Sequence, residues 1–96
     1  MTDQLPVIAV IGGTGAEGSG LAARWARAGY RVIVGSRNAE SAAATASEIG
    51  AEGMDNAAAV AACDIAVLTV PYAAQRATLT ALREGLQGKI LVDVTV

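Results

Sequence analysis

The stretch VIAVIGGTGAEGSG, from Val7 to Gly20, runs from apolar residues directly into five glycines. The apolar, β-branched run favours a buried strand of a parallel sheet. Glycine costs conformational entropy in an ordered element, so the cluster indicates that a ligand or another segment comes close to the backbone. The fold and the first functional hypothesis both follow from this stretch.

The glycines form a recognisable spacing. Gly13-Thr14-Gly15-Ala16-Glu17-Gly18 reads G-x-G-x-x-G, immediately after the apolar run and at the start of a segment with helical composition. In this motif the first glycine makes the tight turn, the second leaves room for a pyrophosphate, and the third lets helix and strand pack closely. The free N–H groups and the dipole at the helix start then hold the phosphates. The sequence therefore predicts a dinucleotide-binding loop; the alternative is a tight turn without a ligand.

The end of the second apolar run predicts which dinucleotide binds. NAD-binding domains place an acidic residue there to bond the ribose 2′-hydroxyl, whereas this chain has Gly35-Ser36-Arg37. A hydroxyl and a guanidinium bind a 2′-phosphate through charge-assisted hydrogen bonds, and Thr14 adds a further hydroxyl. The pattern favours NADP(H) over NAD(H). The alternative is that Ser36 and Arg37 are solvated loop residues before a helix cap at Asn38.

Composition excludes several classes of protein. The chain has 96 residues, a net charge of −2, 53% apolar residues and no histidine. We expect one domain spanning residues 1–96, no nucleic-acid partner because no basic run is present, and no membrane span because the apolar runs are too short. The lack of histidine excludes a histidine metal site, and no metal is expected. The start of the chain resembles no signal peptide, and Cys63 as the single cysteine fits a reducing compartment, so a cytoplasmic location is predicted.

Strand and helix signals alternate along the chain. The strands are predicted at 6–11, 31–35, 64–70 and 89–94, with a weak one at 51–54. The helices are predicted at 16–28, 39–49, 56–62 and 73–86. This alternation predicts an α/β fold, a Rossmann-type doubly wound parallel sheet with strand order 3-2-1-4-5. In the first helix, Leu21, Trp25 and Ala28 are expected to form the apolar stripe. We expect the chain to be the N-terminal part of a longer protein, and its exposed sheet edges to permit a homo-oligomer.

The segments IGGTGAEGSGLA, VGSR and ACDIAVLTVPY together resemble the N-terminal domain of the NADPH-dependent coenzyme F420 reductases, over essentially all 96 residues. The resemblance implies direct hydride transfer between NADP(H) and the deazaflavin coenzyme F420. It places Thr14 through Glu17 along the phosphates, Ser36 and Arg37 at the 2′-phosphate, and Val70 and Pro71 beside the nicotinamide half. Two departures stand out: Ser41 replaces a second basic residue, and Glu17 is acidic where an apolar residue is usual.

Two other functions fit the same residues. One is a non-catalytic NADP(H)-binding module or subunit. The other is an NADPH-dependent reductase of a small imine or carbonyl substrate, which the acceptor that oxidises NADPH would distinguish. An ordinary alcohol dehydrogenase needs an acid or base near the substrate oxygen, and the chain offers poor candidates. No catalytic residue is therefore assigned.

Overall fold

The computed structural model describes residues 5–94 and contains nine elements. The strands are β1 (Ile8–Ile11), β2 (Val32–Ser36), β3 (Glu52–Asp55), β4 (Ile65–Leu68) and β5 (Ile90–Asp93). The helices are α1 (Ala16–Arg27), α2 (Ala39–Ile49), α3 (Asn56–Ala62) and α4 (Tyr72–Leu82). Strand and helix alternate from one end to the other, as the sequence predicts.

All five strands form one parallel sheet in the order β3-β2-β1-β4-β5, which confirms the predicted order and the Rossmann-type fold. The order reverses direction at β1: the chain first moves outward through β2 and β3, then returns to pair β4 against the other side of β1. Ligands of open α/β sheets bind outside the carboxyl ends of the strands at such a reversal. The topology therefore directs attention to the loops after β1 and β4.

The sheet is covered on both faces because successive side chains of a strand point in opposite directions. On one face, Ala9 and Ile11 of β1 pack with α3 and with Leu82 of α4. On the other face, Ile8 and Val10 pack with α1 and α2, whose contributions are the small residues Ala22, Ala42 and Ala46. Small helix residues let the helices approach the sheet closely, so an aliphatic core without phenylalanine is filled.

The structure corrects three local predictions. The helix predicted at 73–86 is shorter, because α4 ends at Leu82 and turns occupy residues 83–88. The strand predicted at 64–70 ends at Leu68, which leaves the next residues in a loop. The buried residues of α1 are Gly18 and Ala22, whereas Ala28 is exposed and Leu21 only half-buried. Of the predicted stripe, Trp25 does pack against the core.

The β5 edge of the sheet is exposed. All four β5 residues are exposed, and three of them are large apolar side chains, Ile90, Leu91 and Val92.

Within residues 5–94, no helix has the length and the apolar character needed to cross a membrane.

Candidate functional site

A groove of about 920 Å³ lies at the carboxyl ends of the strands. It brings together nine of the ten residues that the sequence predicts for the cofactor site; only Gly13 does not line it. The lining residues from the predicted set are Thr14, Gly15, Ala16, Glu17, Gly18, Ser36, Arg37, Val70 and Pro71. Residues distant in the sequence therefore meet at one place in the fold.

The turn after β1 depends on a glycine that the motif does not include. Gly12 has a φ of +78°, a left-handed conformation that glycine adopts without strain. A Cβ at Gly12 would also lie 2.6 Å from Cγ1 of Val70. The prediction that Gly13 makes the tight turn is therefore corrected. Gly13 is needed for packing, because a Cβ there would lie 2.8 Å from the carbonyl oxygen of Val10.

The start of α1 presents unpaired backbone donors. The N–H groups of Gly12 and Gly13 both donate to the carbonyl oxygen of Gly35, each at 3.0 Å. The N–H groups of the first three α1 residues have no backbone acceptor within residues 5–94, and Gly15 at the N-cap provides no side chain to cap them. Above them the space is open, since a Cβ on Gly15 would meet only the Gly12 carbonyl oxygen, at 3.8 Å. Free donors at a helix N-terminus beside open space suit an anion such as a phosphate.

Thr69 connects the two loops that form the groove. Its hydroxyl donates to the carbonyl oxygen of Ile11 at 2.8 Å, and its backbone N–H donates to the same oxygen at 2.9 Å. Its Oγ1 would lie only 2.6 Å from a Cβ on Gly18, so α1 approaches the loop after β4 as closely as a glycine allows. The close packing predicted for Gly18 is found here. Sequence analysis included Thr69 in the segment that carries the family resemblance but assigned it no role in the site.

Ser36, the last residue of β2, and Arg37, directly after it, line the groove on the β2 side of the sheet. The Ser36 Oγ accepts a hydrogen bond from the N–H of Asn38 at 3.2 Å, which leaves the hydroxyl proton available to a ligand. Asn38 caps α2 as predicted, because its Oδ1 accepts from the N–H of Glu40 at 2.8 Å. Arg37 is exposed and has no ion-pair partner within residues 5–94. A hydroxyl donor and a free guanidinium at one site suit a dianionic group.

Two further polar residues line this side of the groove, and the sequence analysis missed both. Asp55 ends β3 directly beside Ser36 in the sheet register. Asn56 follows it, and its Oδ1 is buried without a hydrogen-bond donor within the described part of the chain. That oxygen would lie 2.8 Å from a Cβ on Gly35, so the glycine before Ser36 makes room for the amide. A buried acceptor without a donor is uncommon and costs stability.

The other wall of the groove is mostly small and apolar. Val70 is buried, while Pro71 at the N-cap of α4 is exposed. Behind them α4 contributes Ala74, Ala77, Thr78 and Ala81. The Thr78 hydroxyl is already engaged, because it donates to the Ala74 carbonyl oxygen at 2.8 Å. This wall offers van der Waals contact to a flat ring and few polar partners.

Other polar candidates have structural partners. Asp64 accepts a hydrogen bond from the N–H of Val7 at 2.8 Å, so it joins the starts of β1 and β4. Asp93 accepts a hydrogen bond from the side chain of Gln75. Cys63 is buried, and burial raises the pKa of its thiol. It lies at the end of α3, opposite the groove, and is a packed residue rather than a nucleophile.

Comparison with known proteins agrees with this geometry. A family model described as NADP oxidoreductase, coenzyme F420-dependent, matches residues 7–96. The F420-dependent NADP reductase of Methanothermobacter thermautotrophicus is 49% identical over 93% of the chain, and the enzyme of Methanocaldococcus jannaschii is 41% identical over 93%. The chain covers 42% and 44% of those two proteins, less than half of their length.

Solved structures have the same fold. An imine reductase from Myxococcus stipitatus, a V8 variant in complex with NAD+, superposes with a TM-score of 0.82 at 29% identity, over 96% of the chain and 32% of that protein. The reductase of the same organism in complex with NADP+ gives a TM-score of 0.76 at 30% identity, over 94% of the chain and 32% of that protein. These structural matches show that the fold is shared. The family is identified by the sequence match to residues 7–96. The chain belongs to the coenzyme F420-dependent NADP oxidoreductases.

Proposed function

We propose that the chain is the NADP(H)-binding domain of a reductase that transfers a hydride between NADP(H) and coenzyme F420. The single observation on which the proposal rests is the groove, which is lined both by the start of α1 with its free N–H groups and by Ser36 and Arg37. Its 920 Å³ is of the size that ligand pockets typically have. The choice of F420 as the acceptor is based on the relatives named F420-dependent NADP reductase, which are 41–49% identical to the chain.

The phosphates of the dinucleotide fit the start of α1. The unpaired N–H groups of Ala16, Glu17 and Gly18 donate to phosphate oxygens, and the open space at Gly15 admits the pyrophosphate. α1 is 12 residues long, and its dipole adds a favourable field at this end. Glu17 is exposed, so its carboxylate can point to solvent and away from the phosphates.

The 2′-phosphate fits the end of β2. The Ser36 hydroxyl donates a hydrogen bond, and Arg37 supplies a charged guanidinium that has no competing ion pair in residues 5–94. Thr14 is exposed at the groove and adds a hydroxyl from the glycine loop. Such charge-assisted hydrogen bonds select the 2′-phosphorylated cofactor over NAD(H).

The nicotinamide half fits beside Val70 and Pro71. When bound, NADP(H) supplies a hydride donor or acceptor, and F420 supplies the second redox ring. The wall formed by Val70, Pro71 and α4 orients a flat ring by van der Waals contact. Hydride exchange between two rings needs mainly close positioning, so the apolar character of this wall matches the proposed reaction.

Cofactor binding is tested by titrating the protein with NADPH and NADH while following nicotinamide fluorescence. We expect tighter binding of NADPH, and Arg37→Ala to weaken NADPH about tenfold or more while NADH changes little. Arg24→Ala is the matched control, because Arg24 is an exposed arginine in the last turn of α1, outside the groove. Equal affinity of the wild type for both cofactors, or equal effects of the two variants, would contradict the assigned 2′-phosphate site.

The acceptor is tested with the complete natural protein. We expect NADPH to reduce F420, followed by loss of F420 absorbance, and reduced F420 to convert NADP+ to NADPH. An imine or carbonyl reductase would instead oxidise NADPH with a cyclic imine or ketone and leave F420 unchanged. Binding of NADPH without turnover of any acceptor would identify a non-catalytic module.

A homo-oligomer, a cytoplasmic location and an N-terminal position in a longer protein stay predictions. The exposed apolar edge at β5 supports self-association, and sedimentation analysis of the purified protein tests it.

A further inference from the structure

A carboxylate lies beside the proposed 2′-phosphate site, on the neighbouring strand. Asp55 pairs with Ser36 in the parallel register of β2 and β3. Neighbouring strands lie about 4.8 Å apart, and both residues line the groove. The acidic residue that dinucleotide-binding domains have at the end of β2 is thus absent from that strand but present on the next one.

Asp55 is held in place and keeps one oxygen available. Its Oδ1 accepts a hydrogen bond from the N–H of Ala58 at 2.9 Å, which caps α3. Within residues 5–94 its Oδ2 has no hydrogen-bond partner, and Asp55 makes no ion pair with Arg37. The carboxylate therefore stays at the groove, neither neutralised by the arginine nor turned away from a ligand.

Of the carboxylates nearby, Asp55 is the one placed against the adenosine end. Glu17 lines the groove at the glycine loop, where the pyrophosphate is proposed. Glu40 lies in the first turn of α2 and does not line the groove. Only Asp55 among the three adjoins Ser36.

We propose that Asp55 is a specificity-determining residue that opposes Arg37. Its free oxygen accepts a hydrogen bond from the adenosine ribose 2′-hydroxyl of NAD(H), and its negative charge repels the 2′-phosphate of NADP(H). The preference of the chain for NADP(H) over NAD(H) is then smaller than Ser36 and Arg37 alone would produce. The chain also binds NAD(H) measurably. This inference rests on the proposed function, since it concerns the same cofactor site.

The test is the ratio of the dissociation constants for NADH and NADPH, measured at low salt with Asp55→Asn and Asp55→Ser. Both replacements retain an N-cap acceptor and remove the charge. One unit charge about 7 Å from a phosphate dianion in an exposed site changes affinity about fivefold. We expect NADPH to bind about fivefold tighter, NADH to bind weaker, and the NADPH gain to shrink in high salt.

Glu48→Gln is the matched control. It removes the same charge from the last turn of α2, which leads into the start of β3 at the end of the strands opposite the groove, and we expect the ratio to stay unchanged. Melting temperatures of all variants verify that they fold. An unchanged ratio in both Asp55 variants, with normal NADPH binding by the wild type, overturns this inference alone. If the folded wild type binds neither cofactor, the proposed function fails with it.

Discussion

Gly18→Ala tests how closely the first helix approaches the loop after β4. A Cβ at this position would lie 2.6 Å from the Thr69 Oγ1 and 2.9 Å from the Gly13 Cα. The Gly13 Cα belongs to the backbone of the turn and cannot rotate away. Thr69 can rotate, but only by giving up its hydroxyl hydrogen bond to the carbonyl oxygen of Ile11. Either α1 moves outward or the connection between the loops is lost.

The net effect combines two opposing contributions. Inserting a methyl group into a tightly packed site costs about 1–3 kcal/mol, while replacing glycine by alanine within a helix returns about 0.5–1 kcal/mol. We therefore expect a net loss of roughly 1–2 kcal/mol in the free energy of unfolding. For a domain of this size that lowers the melting temperature by about 4–15 °C. Because the free N–H groups at the start of α1 move as well, NADPH affinity should fall about tenfold.

Gly20→Ala is the matched control, two residues later in the same helix. Gly20 is exposed, and a Cβ there would meet nothing within 4 Å. The same chemical change should therefore stabilise the protein by about 0.5–1 kcal/mol and leave NADPH affinity unchanged. Urea unfolding and cofactor titration of both variants measure the difference. If Gly18→Ala is as stable as Gly20→Ala and binds NADPH normally, the close approach described above is wrong.

Three further predictions concern stability and reactivity. Gly53→Ala should destabilise the protein by about 2–3 kcal/mol in urea unfolding, because a Cβ there would lie 2.4 Å from the backbone of Ala42; a change below about 0.5 kcal/mol would contradict the contact. The hydrogen bond from Arg31 lowers the pKa of Glu52 below its ordinary 4.5. The pair therefore stabilises the fold above pH 4.5, and this stabilisation is lost as the pH falls through the folded-state pKa. The melting temperature of Glu52→Gln should thus lie below that of the wild type at pH 7 and converge with it in acid; a constant difference would refute this. Cys63 is buried with a raised pKa, so a thiol reagent at pH 8 should react slowly with the native protein and rapidly in urea, and equal rates would contradict its burial.

Local pattern was sufficient to predict the sheet. Four strands are apolar runs, and their alternation with helical segments predicts a parallel, doubly wound sheet, for which the nucleotide-binding order 3-2-1-4-5 is expected. β3 was predicted only weakly because Glu52–Asp55 is an edge strand of the sheet, with both terminal residues exposed and little apolar content. Its existence follows from pairing with β2, which is tertiary information.

The site was predictable where it depends on contiguous residues and less so where it depends on register. The glycine motif and the Ser36–Arg37 pair were found directly, and the groove joins them. Asp55 was missed because only the pairing of β2 with β3 brings it beside Ser36. The turn was assigned to Gly13 because the motif begins there, whereas the left-handed φ belongs to Gly12. Spacing identifies the loop but not the backbone conformation of each glycine in it.

The contacts of Thr69 and Val70 with the glycine loop also limit how these positions can evolve. The space that a side chain would need at Gly18 is occupied by Thr69, and the space at Gly12 is occupied by Val70. An alanine at 18 becomes tolerable only with a smaller residue at 69, so related sequences should change these two positions together. At position 12 no change of residue 70 can compensate for a side chain, because the positive φ of Gly12 requires glycine whatever residue stands at 70. We therefore expect the residues at 18 and 69 to vary as a pair, although they lie 51 positions apart in the sequence.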